Sequence, residues 1–528
     1  MRSLRRASQI IFFSIFFVLL LKTEYAGTNK ISYPVKIFLD FDPLVFFSLL
    51  LSNHGIPSEA PRAIFWALIL IFGTLVLGRF FCGWVCPLGS LNHLVSSLRK
   101  KKEGFNNEVY GHNWKYYLLV MILVSSFFTM ALVGLMDPIS LTIRSFSISI
   151  LPAINYTLRA IFDTLYEEGP EVILKGSEAV YSLLRAYILS FNQPYFQQAF
   201  LLGLLFIGVL ALNLIQHSFW CRSLCPLGAL LGLCSRYSIL RLTHQNNCNA
   251  CNLCLLTCRG AAQPIDSDKW QREECVLCWN CQAICPQQTP RFQWSMPWKQ
   301  NRARLSLERR QLLFSAFSGL IFIPLIKVNP HARIFEPRLI RPPGALTERD
   351  FLRRCVRCGE CLKVCLTNGL QPTFLEAGLE GIWSPMLAPR LGYCEYSCTL
   401  CGQVCPTGAI KNLEEAEKKK IKIGLAFIDQ GRCLPIAFGI TCIVCEEHCP
   451  TPKKAIWFEE NKVFSKDGKF KLVKQPRVDL DLCIGCGICE YKCPVKDQPA
   501  IRITSIGETR APDNQILLSS NLSLNLSP

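Results

Sequence analysis

Apolar positions gather into four long runs before residue 221; beyond it they fall into short stretches between polar and cysteine-rich segments. The first run, Ile10–Leu21, follows MRSLRRASQ and is short for a membrane span. A cleaved signal peptide is the alternative, but Glu24 stands where a small residue should precede cleavage after Ala26. The runs at 61–81, 114–136 and 197–219 are each long enough to cross about 30 Å of hydrocarbon at about 1.5 Å per residue. A more modest run, Ser306–Ile326, predicts a fifth span.

The runs repeat. FDPL at Phe41–Leu44 returns as MDPI at Met136–Ile139, and FFCGWVCPLGSL at Phe80–Leu91 returns as FWCRSLCPLGAL at Phe219–Leu230. Each half reads helix, Asp-Pro, helix, C-x3-C-P-L-G, so a pseudo-two-fold axis along the membrane normal should relate them. An insertion at Ser145–Tyr195 predicts amphipathic helices on the outer surface. Arg2, Arg5 and Arg6, then Arg99 and Lys100–Lys102, put the N-terminus and the loop after the second run in the cytoplasm. The acidic loop with Glu167, Glu168, Glu171 and Glu178 faces outward.

Composition agrees with a part-embedded chain of several units. The 528 residues are 50% apolar and only 18% charged, with a mean hydropathy of +0.25. A net charge of +18 is accounted for by basic residues at the ends of apolar runs. No aromatic-basic motif accompanies it, which argues against nucleic acid as a partner. Twenty-nine cysteines change the picture most: six groups hold four each, two hold two, and Cys234 is left over. Four thiols within about a dozen residues are too close for independent disulfides.

The six groups are Cys248, Cys251, Cys254 and Cys258; Cys275, Cys278, Cys281 and Cys285; Cys355, Cys358, Cys361 and Cys365; Cys394, Cys398, Cys401 and Cys405; Cys433, Cys442, Cys445 and Cys449; and Cys483, Cys486, Cys489 and Cys493. C-x2-C-x2-C-x3-C-P is the ligand pattern of bacterial 4Fe-4S clusters, with the fourth cysteine serving a neighbouring cluster. Zinc takes two separated C-x2-C knuckles, whereas here three thiols sit in one run. Six 4Fe-4S clusters are predicted. Irregular spacing in the fourth and fifth groups suggests that these two pair with each other, nested between the outer two.

Cys82 and Cys86, with Cys221 and Cys225, flank the repeated Cys-Pro turns. They are candidates for a further metal, cluster or redox dithiol; packing as small apolar residues is the alternative. Asp42 and Asp137 precede prolines at outer helix ends and are candidate acceptors for quinol protons; the alternative is turn initiation. Arg79, His217 and Arg222 could contact a quinone head or balance cluster charge, while His217 has no partner spaced to share a haem.

The expected organisation is a polytopic α-helical membrane bundle of four to five spans over 1–235, plus α+β ferredoxin-like domains. A cytoplasmic two-cluster domain covers 236–300, and a twin-arginine-like segment with Arg309 and Arg310 covers 301–330. A four-cluster domain follows at 331–505, then a disordered tail at 506–528.

With its duplicated C-x3-C-P-L-G turns and two-cluster domain, the part from 1 to 300 resembles the NapH/MauN type of membrane ferredoxin. The part from 301 to 505, with ERRQLLF, RPPGAL and GYCEYSCTLCGQVCPTGAI, resembles the NapG/MauM type. The resemblance implies electron transfer from the membrane quinol pool, feeding periplasmic nitrate reductase, or a role in methylamine dehydrogenase maturation. It thus implies a bacterial inner-membrane protein with a redox partner, a periplasmic oxidoreductase or cytochrome, and a periplasmic four-cluster domain. Alternatives are a maturation factor supplying electrons for assembly of another redox enzyme, and a cytoplasm-facing polyferredoxin on a membrane anchor.

Overall fold

The computed structural model describes residues 1–55, 61–98, 113–168, 171–190, 192–244, 248–249, 251–265, 270–295, 307–327, 336–464 and 470–515. The basic loop at 99–102 lies outside them.

Proline decides where many of the helices begin. The helices that build the bundle are α1 (Arg2–Lys22), α2 (Pro43–Asn53), α3 (Pro61–Leu77), α4 (Pro87–Leu98), α5 (Trp114–Phe127) and α6 (Pro138–Ser145). They continue with α7 (Leu151–Glu168), α8 (Glu171–Tyr187), α9 (Ala199–Ala211), α10 (Pro226–Ser235) and α11 (Arg309–Lys327). A proline at the first helical position loses no hydrogen bond and presets the backbone angle. Hence α2, α4, α6 and α10 start at the two Asp-Pro and two Cys-Pro steps of the repeat.

The 21 residues of α1 span about 32 Å, and its ends define the two ends of the bundle. At the first, Gln9 donates to the Gly83 carbonyl (2.9 Å) and Arg5 approaches His93. At the other, Lys363 of the four-cluster domain donates to the Thr23 carbonyl (3.1 Å) and pairs with Glu24 at 3.8 Å. Four more helices alternate between these ends. The Leu75 carbonyl of α3 accepts from Ile239 beside the two-cluster domain. Helix α5 starts on Glu274 there and leads to Ala131, whose carbonyl accepts from Arg357 at the far end. Helix α9 returns, from Gln198 bonded to the Pro372 carbonyl to Asn213 bonded to Asn92. Helix α11 then runs along α5, with Gly319 against the Met121 carbonyl, and carries the chain from the two-cluster domain to the four-cluster domain.

Of these, α1 alone is long and apolar enough by itself to cross a membrane among the described residues; α3, α5 and α9 are shorter apolar helices. The long runs read from sequence are divided. Thr129 (φ 68°) takes a left-handed backbone angle just beyond the end of α5 at Phe127, cutting the third run short, and α9 ends at Ala211 and tightens into a 3-10 turn at Leu212–Leu214 inside the fourth. The insertion folds as the pair α7 and α8, joined by Phe162 stacking on Tyr181 at 5.1 Å.

The two-cluster domain closes on one ribbon, β1 (Leu240–His244) antiparallel to β2 (Pro290–Trp294). The four-cluster domain has three more ribbons: β3 (Leu370–Pro372) with β4 (Pro385–Leu387), β5 (Leu425–Ile428) with β8 (Ile501–Thr504), and the hairpin β6 (Ile456–Phe464) and β7 (Phe470–Val478). It does not stop at 505. Arg510 pairs with Glu348 at 2.9 Å, and Asn514 bonds back to Ser505, so the polar stretch read as disordered is ordered to residue 515. Residues 516–528 lie outside the described set.

Both domains are seated on the bundle through glycines. A Cβ at Gly134 would lie 1.9 Å from the Val356 carbonyl, and one at Gly83 would lie 2.2 Å from that of Val276. Only a residue without a side chain lets these backbones meet.

Candidate functional site

The cysteine loops share a backbone device. The residues flanking the middle cysteine are left-handed in three groups: Leu277 and Trp279, Arg357 and Gly359, and Gly485 and Gly487. Alternating handedness turns successive backbone N–H groups inward, a concavity suited to anionic centres such as iron–sulfur clusters. Two of these pairs include bulky residues that take such angles reluctantly.

The structure sorts the thiols into sets. Cys258 lies with Cys275, Cys278 and Cys281. Cys248, Cys251 and Cys254 lie together. Cys405 joins Cys355, Cys358 and Cys361, while Cys365 joins Cys394, Cys398 and Cys401. Cys449 joins Cys483, Cys486 and Cys489, and Cys433, Cys442 and Cys445 gather near Cys493. Pairing is therefore sequential, third group with fourth and fifth with sixth. The nested arrangement suggested by the irregular spacings is corrected: the loop lengths are absorbed locally, and each fourth cysteine reaches the adjacent group.

The residues present fit 4Fe-4S clusters better than single ions. Among the described residues no group of three or more His, Cys, Asp or Glu could hold one metal ion, whereas zinc would draw four ligands to about 2.0–2.3 Å. Backbone N–H groups already aim at sulfur: Ala262 at Cys258 (3.3 Å), Leu370 at Cys365, Ile410 at Cys405 and Ala500 at Cys493 (each 3.4 Å). Such bonds tune cluster potential. Burial pushes the Cys394 thiol up to about 11 and those of Cys445 and Cys486 to about 12, so loading with iron must release protons.

One feature was missed in the sequence. Thr367, Thr407 and Thr451 each follow the fourth cysteine of a group by two positions, and their hydroxyls lie 3.8, 3.8 and 3.2 Å from its sulfur. The thrice-repeated Cys-x-Thr could have revealed them.

The sets form a file from the bundle outward. Arg144, fully buried and stacked on Trp383 at 4.6 Å, bonds to the Arg357 carbonyl beside Cys358. Cys401 and Cys405 tie the first two sets of the four-cluster domain. The Cys394 N–H donates to the Cys486 carbonyl at 2.8 Å, tying the second to the third. Cys445 and Cys489 tie the third to the last, whose loop carries the exposed Phe438, Ile440 and Ile443 between Cys433 and Cys445.

Within the bundle, Asp42 and Asp137 come together. Asp42 caps α2, accepting from Leu44 (2.8 Å), and Asp137 caps α6, accepting from Ser140 (2.6 Å). Their carboxyls contact each other, and Asp42 Oδ2 and Asp137 Oδ1 are buried with no other donor. Cys82, Cys86, Cys221 and Cys225 also gather, with Asn92 donating to Cys221 (3.5 Å) and the Gly228 N–H to Cys225 (3.2 Å). Of the flanking residues, Arg79 reaches Cys82 Sγ (3.9 Å) and Glu274, and Arg222 donates to the Cys258 carbonyl (2.6 Å). His217 Nδ1 lies 2.9 Å from the Ser218 hydroxyl. Glu274, missed in the sequence, receives Lys115, Tyr116 and Arg79.

Comparison with known proteins points to iron–sulfur binding. The sequence model of a 4Fe-4S binding domain matches twice, at 59–106 and 198–242, the two halves of the repeat. A second model of a 4Fe-4S binding domain matches 476–496. The chain is 36% identical over 168 residues to the ferredoxin-type protein NapG of Escherichia coli, covering 31% of this chain and 69% of that protein. It is 37% identical over 172 residues to the methylamine utilization ferredoxin-type protein MauM of Methylorubrum extorquens, covering 32% and 73%. With the MauM of Methylobacillus flagellatus the figures are 33% over 217 residues, 38% and 87%. No solved structure matches. The chain belongs to the NapG/MauM family of ferredoxin-type proteins and is an iron–sulfur protein that transfers electrons between redox partners.

Proposed function

We propose that this protein is a multi-pass inner-membrane electron carrier that oxidises quinol in its helical bundle and delivers the electrons to a partner outside. Five helices alternate between the bundle's ends, and α1 matches the roughly 30 Å of a bilayer's hydrocarbon. Each of six 4Fe-4S clusters, when bound, takes up and releases a single electron. The chain's part is to hold them: four sets of thiols in file from Arg144 to the exposed rim of Phe438, Ile440 and Ile443, and two sets at the opposite end. Arg309 and Arg310 open α11, the helix that leads to the four-cluster domain. A twin-arginine export step acting there moves that domain across already folded.

The carrying observation is the Asp42–Asp137 pair beside the start of the file. Two contacting buried carboxyls cannot both be ionised, so the pair holds one proton and has room for another. It accepts the proton that a quinol hydroxyl sheds as its electron leaves. The test is anaerobic reduction of the purified holoprotein by menaquinol, followed by EPR. Reduction of clusters, blocked by quinone-site inhibitors, supports the reading; no reduction by menaquinol when dithionite reduces every cluster overturns it.

A further inference from the structure

The bundle separates two groups of clusters that the family reading leaves unconnected. The two-cluster domain sits at the Arg5 end of α1 and the four-cluster domain at the Glu24 end. Between them lie the four thiols of the repeat. On one side Arg222 touches both neighbourhoods: it belongs to the same turn as Cys221 and donates to the carbonyls of Cys258 and Arg259. On the other, Cys86 lies toward Asp137, and Arg144, also near Asp137, leads on to Cys358.

The geometry points to a seventh iron–sulfur centre, held by Cys82, Cys86, Cys221 and Cys225, that joins the two cluster groups into one electron path through the bundle. Four thiolates are the ligand set of both 2Fe–2S and 4Fe–4S centres. Two of these cysteines stand at the N-termini of α4 and α10, of 12 and 10 residues, where backbone dipoles favour negative charge. The sulfurs receive Asn92, the Gly228 N–H and Arg79. Space for close approach is kept by glycine: a Cβ at Gly89 would lie 2.5 Å from the Cys82 carbonyl, and one at Gly228 would lie 2.6 Å from Arg79.

Charge supplies a second, independent argument. Arg5, Arg79, Lys115 and Arg222 are buried around this site, and among the described residues Glu273 and Glu274 are the buried carboxylates beside them. Buried charge is retained where it is paired. An anionic thiolate-bound centre supplies the missing partner.

The reaction is outer-sphere: one electron enters from a low-potential donor of the reduced-ferredoxin class at the two-cluster end and leaves to a higher-potential one-electron acceptor, an oxidised haem protein, at the four-cluster end. No bond forms or breaks. This goes beyond quinol oxidation and proceeds in its absence.

The test uses full-length holoprotein in quinone-free vesicles loaded with ferricyanide, with potassium and valinomycin to carry compensating charge, and dithionite added outside. Wild type is expected to bleach the trapped ferricyanide at least tenfold faster than empty vesicles and than a Cys221→Ser/Cys225→Ser variant. The variant should lose the iron of one centre and keep that of the six cubanes. Equal iron in the two proteins, or wild-type flux no faster than empty vesicles, overturns the proposal. Asn92→Leu removes a donor to sulfur but no thiol, so it guards against a variant that fails to fold. It should lower the midpoint potential of one EPR signal, and an unmoved signal counts against the site.

Discussion

Asp42 and Asp137, each the cap of its own helix in one half of the repeat, meet carboxyl to carboxyl in the core of the bundle. Their inner oxygens have no donor but each other. A turn-forming role would need neither the contact nor the burial. Asparagine caps helices about as well as aspartate, so Asp42→Asn and Asp137→Asn should fold. Each is expected to slow menaquinol-driven cluster reduction by about 10²-fold or more while leaving dithionite reduction unchanged, as stopped-flow absorbance can follow. Unaltered rates in both variants would remove the pair from the chemistry.

The sequential pairing of thiol sets can be read by iron loss. Cys405→Ser combined with Cys358→Ser strikes one set and should cost the iron of one cluster. Cys405→Ser combined with Cys398→Ser strikes two and should cost that of two. A nested arrangement predicts a different partner for Cys405, so iron and EPR spin counts of these two double variants decide between them.

The seats of the two domains rest on backbone contact. Gly134→Ala forces the Val356 carbonyl away, and the overpacking should cost roughly 1–3 kcal/mol. The expected consequence is faster hydrogen exchange at 131–136 and 355–359 in the variant, with α1 and the two-cluster ribbon unchanged.

Glu348 ties the ordered tail to the rest of the four-cluster domain. Burial pushes its carboxyl up, but the Arg341 guanidinium, then Arg510, outweigh this and hold it down at about 2. A carboxyl held below its unfolded value of about 4.3 contributes stability above that pH and loses it as pH falls through the folded value. Tail protection at 505–515 should therefore weaken between about pH 4 and pH 2. About a third of the side chain is exposed (32%), so solvent screens the pair and Glu348→Gln should cost only about 1 kcal/mol. Its tail should exchange faster at neutral pH and lack the acid step.

Chemistry was more legible in this sequence than geometry. The Cys-x2-Cys spacing points to clusters because three thiols must wrap one centre, whereas the Asp-Pro and Cys-Pro steps, read as turns, turn out to be helix starts. The runs at 114–136 and 197–219 read as unbroken because hydropathy is blind to backbone angles such as the left-handed one at Thr129 and to the tightening of the helix into a 3-10 turn after Ala211. Residues 507–515 look disordered by composition, since nothing local announces that Arg510 will find Glu348. Pairing was misread for a related reason: spacing describes a loop's length, whereas the reach of Cys405 toward Cys358 is set by packing. Arg144 and Glu274 gave no signal, because their partners come from distant segments.

Electron transfer through this chain requires that the thiol sets hold iron and sulfide. The most direct measurement is metal and acid-labile sulfide in anaerobically isolated full-length protein, with EPR of the reduced sample. Iron and sulfide in near-equal amounts, about four of each for every cubane set, with interacting 4Fe–4S signals, are the expected result. Stoichiometric zinc with almost no labile sulfide would contradict it.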